Sequence, residues 1–362
     1  MIFGNIIQVP PPQSGKMGFP WNQEVPVSKY NNWDENQYPK ISIITIVHNH
    51  ADYLEQTIRS VVLQNYPHVE YILIDEGSID ESLAIIEKYE RFITHFETVP
   101  NTNASNAFEK ALAIASGDIL VYLKPGDYFT LDALRTAGEL MVKEQADLVH
   151  LSTHIADESG NILAYDLNIN LGETYLETIA KIGIEYAATF IRLDKIKQLN
   201  GLNTNLPYIK TWDLYVRYLF CFKQKGIVYS DFVGMVVQKH QESEIMEKTI
   251  FGEISKFEYN TWQVLRALVE KDYTLAKALD DLGFQYNATF AKDYPIVALS
   301  DLQMIISNKL FFKVAEACAL GEYKRAHKMA KIIKNDLLNS LYQKDYKKMK
   351  TAIFFKKWFS KY

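Results

Sequence analysis

The chain has 362 residues, of which 48% are apolar and 23% charged, with two cysteines. That composition excludes collagen-like, disordered and disulfide-stapled chains, and the length suits two domains. The net charge of −5 conceals a split, because residues 1–250 hold 20 basic against 32 acidic side chains and residues 251–362 hold 19 against 12.

Residues 1–38, rich in Pro, Asn, Gln and Gly, read as an irregular leader pinned to the body by Phe19 and Trp21. Residues 41–47 form an unbroken, largely β-branched apolar run, the pattern of a strand buried on both faces. Asp52 and Glu55 then have the spacing of a capping box, opening a helix with Leu54, Ile58, Val61 and Val62 on one stripe. The unit repeats: a strand over 71–74, a second capping box at Ser78 and Glu81, and a stripe of Leu83, Ile86 and Tyr89. A helix over 103–116 precedes a third strand at 119–123. This alternation predicts an α/β fold of the Rossmann type, a mostly parallel sheet flanked by helices, with ligands beyond the carboxyl ends of the strands. After about residue 250 strand signals fade, and residues 311–333, with Gly321 between two helical stretches, read as a helical hairpin. The expected domains are the leader, an α/β domain over 39–245 and a smaller helical domain over 246–362.

Three loops therefore matter: 47–50, 75–80 and 124–127. Asp75 lies on a turn that opens a helix, where free N–H groups favour anionic ligands and its carboxylate can accept from a base or sugar. Asp75 and Ser78 serve equally well as plain caps. Asp127, in Lys124-Pro125-Gly126-Asp127, is placed to hold Mg²⁺ or Mn²⁺ against a diphosphate, since magnesium takes only one or two protein carboxylates. Pro-Gly-Asp is also good turn chemistry without any metal.

The order of these pieces is distinctive. Residues 39–54 read PKISIITIVHNHADYL, residues 64–82 QNYPHVEYILIDEGSIDES and residues 117–129 GDILVYLKPGDYF. This resembles the family-2 glycosyltransferases of GT-A fold, and the leader's Gly18-Phe19-Pro20-Trp21 resembles a Gly-Trp-Pro-Trp segment of some members. The resemblance covers residues 18 to about 240 and implies transfer of a hexose-type sugar from a nucleotide donor, a UDP-sugar above all. The transfer would be inverting and serve surface polysaccharide or glycoconjugate assembly. It implies that Asp75 bonds the donor base, that Thr45, Val47 and Asn49 line the nucleoside pocket with Ser78, and that Lys110 lies near the donor phosphates. Asp127 matches the last carboxylate of the metal motif, and His240 the late histidine that completes the site around Mn²⁺ or Mg²⁺. The acceptor would be a glycan or a lipid-linked glycan.

Several positions depart from that pattern. Gly126 replaces the first carboxylate of an Asp-Asp pair, and Val99, Asn101 and Asn106 replace acidic residues. Glu76 replaces a small or acidic residue after Asp75. At the position of the usual general base stands Thr211, which cannot accept a proton near neutral pH. Asp213, two residues on, is the nearest carboxylate and the expected base; it is equally placed as a first-turn residue favoured by the helix dipole. A catalytically silent scaffold that binds a nucleotide, glycan or partner is the alternative. The Gln-x-x-Arg-Trp mark of processive synthases is missing, so a non-processive enzyme is expected.

Residues 344–362 hold seven lysines and one aspartate among aromatic residues, a combination suited to an anionic membrane surface. A solvated helix end with its aromatics packed inward suits the same residues. Nucleic acid is not an expected partner, since the rest of the chain is acidic. Cys221 and Cys318 have no metal or redox spacing, the first residues lack a signal-peptide pattern, and no run reaches the about 18 apolar residues of a membrane span. A cytoplasmic protein, peripheral on the inner face of the membrane, is the expectation.

Overall fold

The computed structural model describes residues 8–12, 15–30, 38–100, 102–166, 171–181, 186–206, 210–239, 256–283 and 294–359. In chain order the elements are β1 (Ile41–Val47), α1 (Ala51–Val62), β2 (Val69–Asp75), α2 (Ser82–Lys88), β3 (His95–Thr98), α3 (Ala104–Ile114), β4 (Ile119–Tyr122) and β5 (Tyr128–Phe129). Next come α4 (Ala133–Lys143), β6 (Leu148–Ala156), β7 (Ile162–Asp166), α5 (Tyr175–Ala180), β8 (Thr189–Arg192), α6 (Leu193–Gln198), α7 (Lys210–Phe222) and β9 (Ile227–Gln238). Further helices follow: α8 (Lys256–Leu268), α9 (Tyr273–Asp280), α10 (Leu299–Ala319), α11 (Tyr323–Ala330) and α12 (Ser340–Phe359).

The strands form one sheet of order β3-β2-β1-β4-β8-β6-β9-β5, with β7 on β6. The expected parallel pairing holds through β3-β2-β1-β4. Beyond β4 the sheet is mixed: β8 runs antiparallel to β4 and β6, while β9 returns parallel to β6. Those later strands are short or interrupted, which hid them from periodicity. All seven residues of β1 are buried. Its two hydroxyls are satisfied: Ser42 donates to Glu70 and accepts from the Gly117 amide, and Thr45 lies 3.2 Å from the Tyr71 hydroxyl. Burial pushes the Glu70 carboxyl up, but bonds from Lys40, Ser116 and Ser42 outweigh it and hold it at about 2.

The caps differ from the local pattern. Helix α1 begins after His50 with no side-chain cap of its own, and α2 likewise after Glu81. Asp80 supplies both ends, accepting the Ala51 amide at 2.9 Å and the Ser82 amide at 3.0 Å. Glu55 instead accepts from Lys88 and the Tyr89 hydroxyl. The cause is register. Val47 pairs with Asp75, so the two loops leave the sheet side by side and can exchange caps.

Described residues of the leader contact the body. Trp21 is buried, Phe19 packs on the core, and the buried Arg59 of α1 donates to the carbonyls of Pro10, Pro20 and Trp21.

The chain forms two compact units. One comprises residues 1–169, 185–204 and 225–249 and contains the sheet; the other comprises 170–184, 205–224 and 250–362. The helical unit thus draws α5 and α7 from inside the span expected for the α/β domain. Within it Leu206, Val264 and Ala267 form a small core against Leu268 and Tyr294. The expected hairpin is α10 and α11, with Gly321 at φ +77° in the turn. Among the described residues no helix is long and apolar enough to cross a membrane.

Candidate functional site

The carboxyl ends of β1, β2 and β4 converge in the sheet unit. The turn after β2 is built by Asp75, which is fully buried. Its Oδ2 accepts the Gly77 amide at 3.0 Å and the Ser78 amide at 3.1 Å, and its Oδ1 accepts the Ser78 hydroxyl. Gly77 turns at φ +92°, and a Cβ there would meet the Pro100 Cα at 3.3 Å. Ser78 in turn accepts the Asn49 amide at 2.9 Å, and Asn49 Oδ1 accepts the Ile79 amide at 2.9 Å. Asn49 itself sits at φ 54°, a conformation asparagine tolerates better than most residues. The loops after β1 and β2 are thereby tied into one rim.

Glu76 stands on that rim. Its amide donates to Val47 O at 2.9 Å, while its buried Oε1 has no hydrogen-bond partner. Burial raises its pKa above the usual carboxylate range; His48 opposes the shift and Asp75 adds to it. An unsatisfied, half-buried carboxylate oxygen is costly unless a ligand donor fills it.

Asp127 lies on the turn after β4. Thr57 anchors its turn, accepting the Gly126 amide and donating to Asp127 O, both at 2.9 Å. The carboxylate accepts the Gln238 amide at 3.1 Å and the Tyr186 hydroxyl at 3.2 Å. It is only 4% exposed, and burial raises its pKa to about 6 against the pull of Lys124, Gln238 and Tyr186. The Lys124 ammonium sits 3.9 Å from the centre of the Tyr186 ring. The Tyr122 hydroxyl is pushed up first by burial and then by Asp127 and Glu76.

Sequence-expected residues divide accordingly. Asn49, Asp75, Ser78 and Asp127 come together at this end of the sheet. Val47 supplies only its carbonyl there, and its side chain is buried in the core. Thr45 is corrected to a core residue, since it is fully buried and its hydroxyl faces Tyr71. Lys110 is engaged at 2.5 Å by Glu97 of β3. The general-base reading of Asp213 is also corrected. That carboxylate, in the helical unit, has no exposed surface and accepts Arg217 Nε at 2.8 Å and the Tyr294 hydroxyl at 2.7 Å. Buried and paired on both oxygens, it holds α7 rather than standing ready for an acceptor hydroxyl. Thr211 is half-buried in the first turn of the same helix. His240 lies outside the described residues.

Glu76, Lys124 and Tyr186 escaped sequence reasoning as site residues. Glu76 and Lys124 follow strand ends directly, which is the available signal; Tyr186 is remote in sequence and had none. Among the described residues no three His, Cys, Asp or Glu side chains converge as a metal cluster. The donor set nevertheless fits a divalent ion of the magnesium type. Asp127 is a buried carboxylate whose oxygens accept from a neutral amide and a neutral hydroxyl, unlike the ion-paired Asp213, and such an ion needs only one or two carboxylates beside phosphate oxygens.

Comparison with known proteins decides the family. Residues 42–201 match the model of glycosyl transferase family 2. Residues 42–201 thus carry a family-2 glycosyltransferase domain, which supports glycosyltransferase activity. It is 29% identical over 197 residues to an uncharacterized glycosyltransferase of Haemophilus influenzae, covering 53% of this chain and 76% of that one. It is 25% identical over 236 residues to the putative teichuronic acid biosynthesis glycosyltransferase TuaG of Bacillus subtilis, covering 64% of this chain and 90% of that one. Its fold is similar to the crystal structure of S. aureus TarS in complex with UDP-GlcNAc, with a TM-score of 0.54 at 14% identity over 82% of each chain. The GT-A-like fold and the helical C-terminal region expected from sequence agree with these findings.

Proposed function

We propose that this glycosyltransferase takes a UDP-sugar and passes the sugar, with inversion and non-processively, to a glycan or lipid-linked glycan in surface polysaccharide assembly. The observation that supports the reading is the partnerless Glu76 Oε1 on the turn after β2, at the same end of the sheet as the buried Asp127 carboxylate. A nucleobase offers N–H donors, and a carboxylate acceptor held on a rigid turn reads them. Asp75 positions that turn; Glu76 meets the base. Asn49 and His48 line the nucleoside side. Lys124 and Asp127 lie where the diphosphate would sit, and Tyr186 holds both of them. Mn²⁺ or Mg²⁺ at Asp127, with His240 as the further expected ligand, would stabilise the departing diphosphate. TuaG's name favours a surface-glycan acceptor, and the TarS complex favours a UDP-sugar.

The test is calorimetric titration with UDP and GDP, each with and without Mn²⁺. UDP is expected to bind more tightly with the ion, Glu76→Gln to weaken it about tenfold by losing one charge-assisted bond, and Asp127→Ala to abolish the ion's effect. Unchanged nucleotide affinity in Glu76→Gln would sink the base-reading role. An Asp127→Ala enzyme with full Mn²⁺ response would sink the metal role.

A further inference from the structure

The end of the helical unit carries more positive charge than its own fold uses. Between Tyr323 and Phe354 nine lysine and arginine residues stand against two aspartates. Helices α11 and α12 pack together there, with the Tyr346 hydroxyl donating to Ala330 O. The inner face is apolar: Ala326, Met329, Ala330, Tyr346 and Ile353 are buried. Lys324, Lys328 and Lys331 recur at helical spacing on α11, and Lys344, Lys347 and Lys350 on α12; all six are exposed. Arg325 pairs with Glu322 and Lys348 with Asp345. None of the six is paired with a carboxylate among the described residues. Lys331 follows Ala330 and Lys347 follows Tyr346, so the bond ties together the two segments that carry these lysines. Exposed apolar groups flank them, with Leu341 at 69% and Phe354 at 60% exposure.

Surface lysines are normally interspersed with acids, and a one-signed field is the exception. Six ammonium groups without a carboxylate partner among the described residues, on long, flexible stems beside exposed leucine and phenylalanine, match the interface of an anionic bilayer; Lys350 also leans over the Tyr346 ring. Its phosphates meet the lysines and its upper acyl region meets the apolar side chains. A nucleic acid fits less well, because the larger part of the chain, residues 1–250, is acidic. We propose that α11 and α12 together form a docking surface for an anionic phospholipid membrane. The contribution of α11 is not visible in the tail sequence; it follows from the packing of the two helices. Docking of this kind would hold the enzyme where a lipid-borne acceptor is found.

The experiment is co-sedimentation of the full chain with phosphatidylcholine vesicles, with and without phosphatidylglycerol, at low and high salt. Binding is expected only with phosphatidylglycerol and is lost at high salt. Each lysine near the surface contributes about fivefold, so K324Q/K328Q/K331Q and K344Q/K347Q/K350Q should each weaken binding about a hundredfold. Circular dichroism confirms that both variants are folded, and donor hydrolysis is expected to stay at the wild-type level. Equal binding to neutral vesicles would overturn the proposal. So would an unchanged affinity in the α11 variant, or displacement of the vesicles by single-stranded nucleic acid at equal charge. Vesicle binding is read without donor or acceptor, so its failure leaves the donor site unaffected.

Discussion

Asparagine at position 127 separates the site's cost from its use. Asp127→Asn keeps the shape of the side chain and one acceptor oxygen for the Gln238 amide, and removes the charge. Burial carries the carboxyl from 3.8 to about 6 in the folded protein. Below about pH 4 the group is protonated in both states and contributes no difference. Between about pH 4 and 6 the unfolded state ionises first, so folding loses stability across that window, and above it the folded state carries the full cost of the buried charge. About two units at 1.36 kcal/mol each give roughly 3 kcal/mol of destabilisation at neutral pH. Weakening the Tyr186 bond offsets about 1 kcal/mol of the gain. The variant should therefore be more stable than wild type by about 2 kcal/mol, a rise of roughly 4–8 °C for a domain of this size. Thermal unfolding followed by circular dichroism in chelator, from acid to neutral pH, reads this directly. The gap between the two proteins should be smallest in acid, grow between about pH 4 and 6, and level off above Asp127's folded pKa. Mn²⁺ should then raise the wild-type midpoint and leave the variant unmoved. A variant that melts below wild type at neutral pH, or a gap independent of pH, would refute the reasoning.

Other substitutions test other parts of the structure. Glu76 has a raised carboxyl pKa, so UDP binding should strengthen as pH rises through it, and titrations of Glu76→Gln should show no such dependence. Asp213→Ala leaves Arg217 buried without its partner and should cost about 3–5 kcal/mol in denaturant unfolding. A normally stable Asp213→Ala protein that had lost only turnover would restore Asp213 as the base. Arg59→Met removes the donor to three leader carbonyls; it should cost about 2–4 kcal/mol and open the leader to limited proteolysis. Wild-type resistance to protease in that variant would show that packing of Trp21 and Phe19 suffices.

What the sequence determined by itself was local. An unbroken apolar strand, its amphipathic helix and the turn that follows lie within a few residues of one another. Periodicity therefore sufficed for β1 to β4 and for the loops that carry Asn49, Asp75, Ser78 and Asp127. The family could be recognised for the same reason, because its motifs are those strand ends. Tertiary structure decided which side chains of those motifs are available. Asp75 and Glu76 are neighbours in sequence, yet one carboxylate is consumed by its own turn and the other lacks a partner. Asp213 looked like a replacement base because spacing along a helix is visible in sequence. Arg217 and Tyr294, which seal it, act through burial and through a residue 81 positions away. Tyr186 reaches Asp127 across 59 residues, and the α11 lysines join those of the tail only through helix packing. Burial and long-range pairing set desolvation, and desolvation decides whether a carboxylate serves the fold or a ligand.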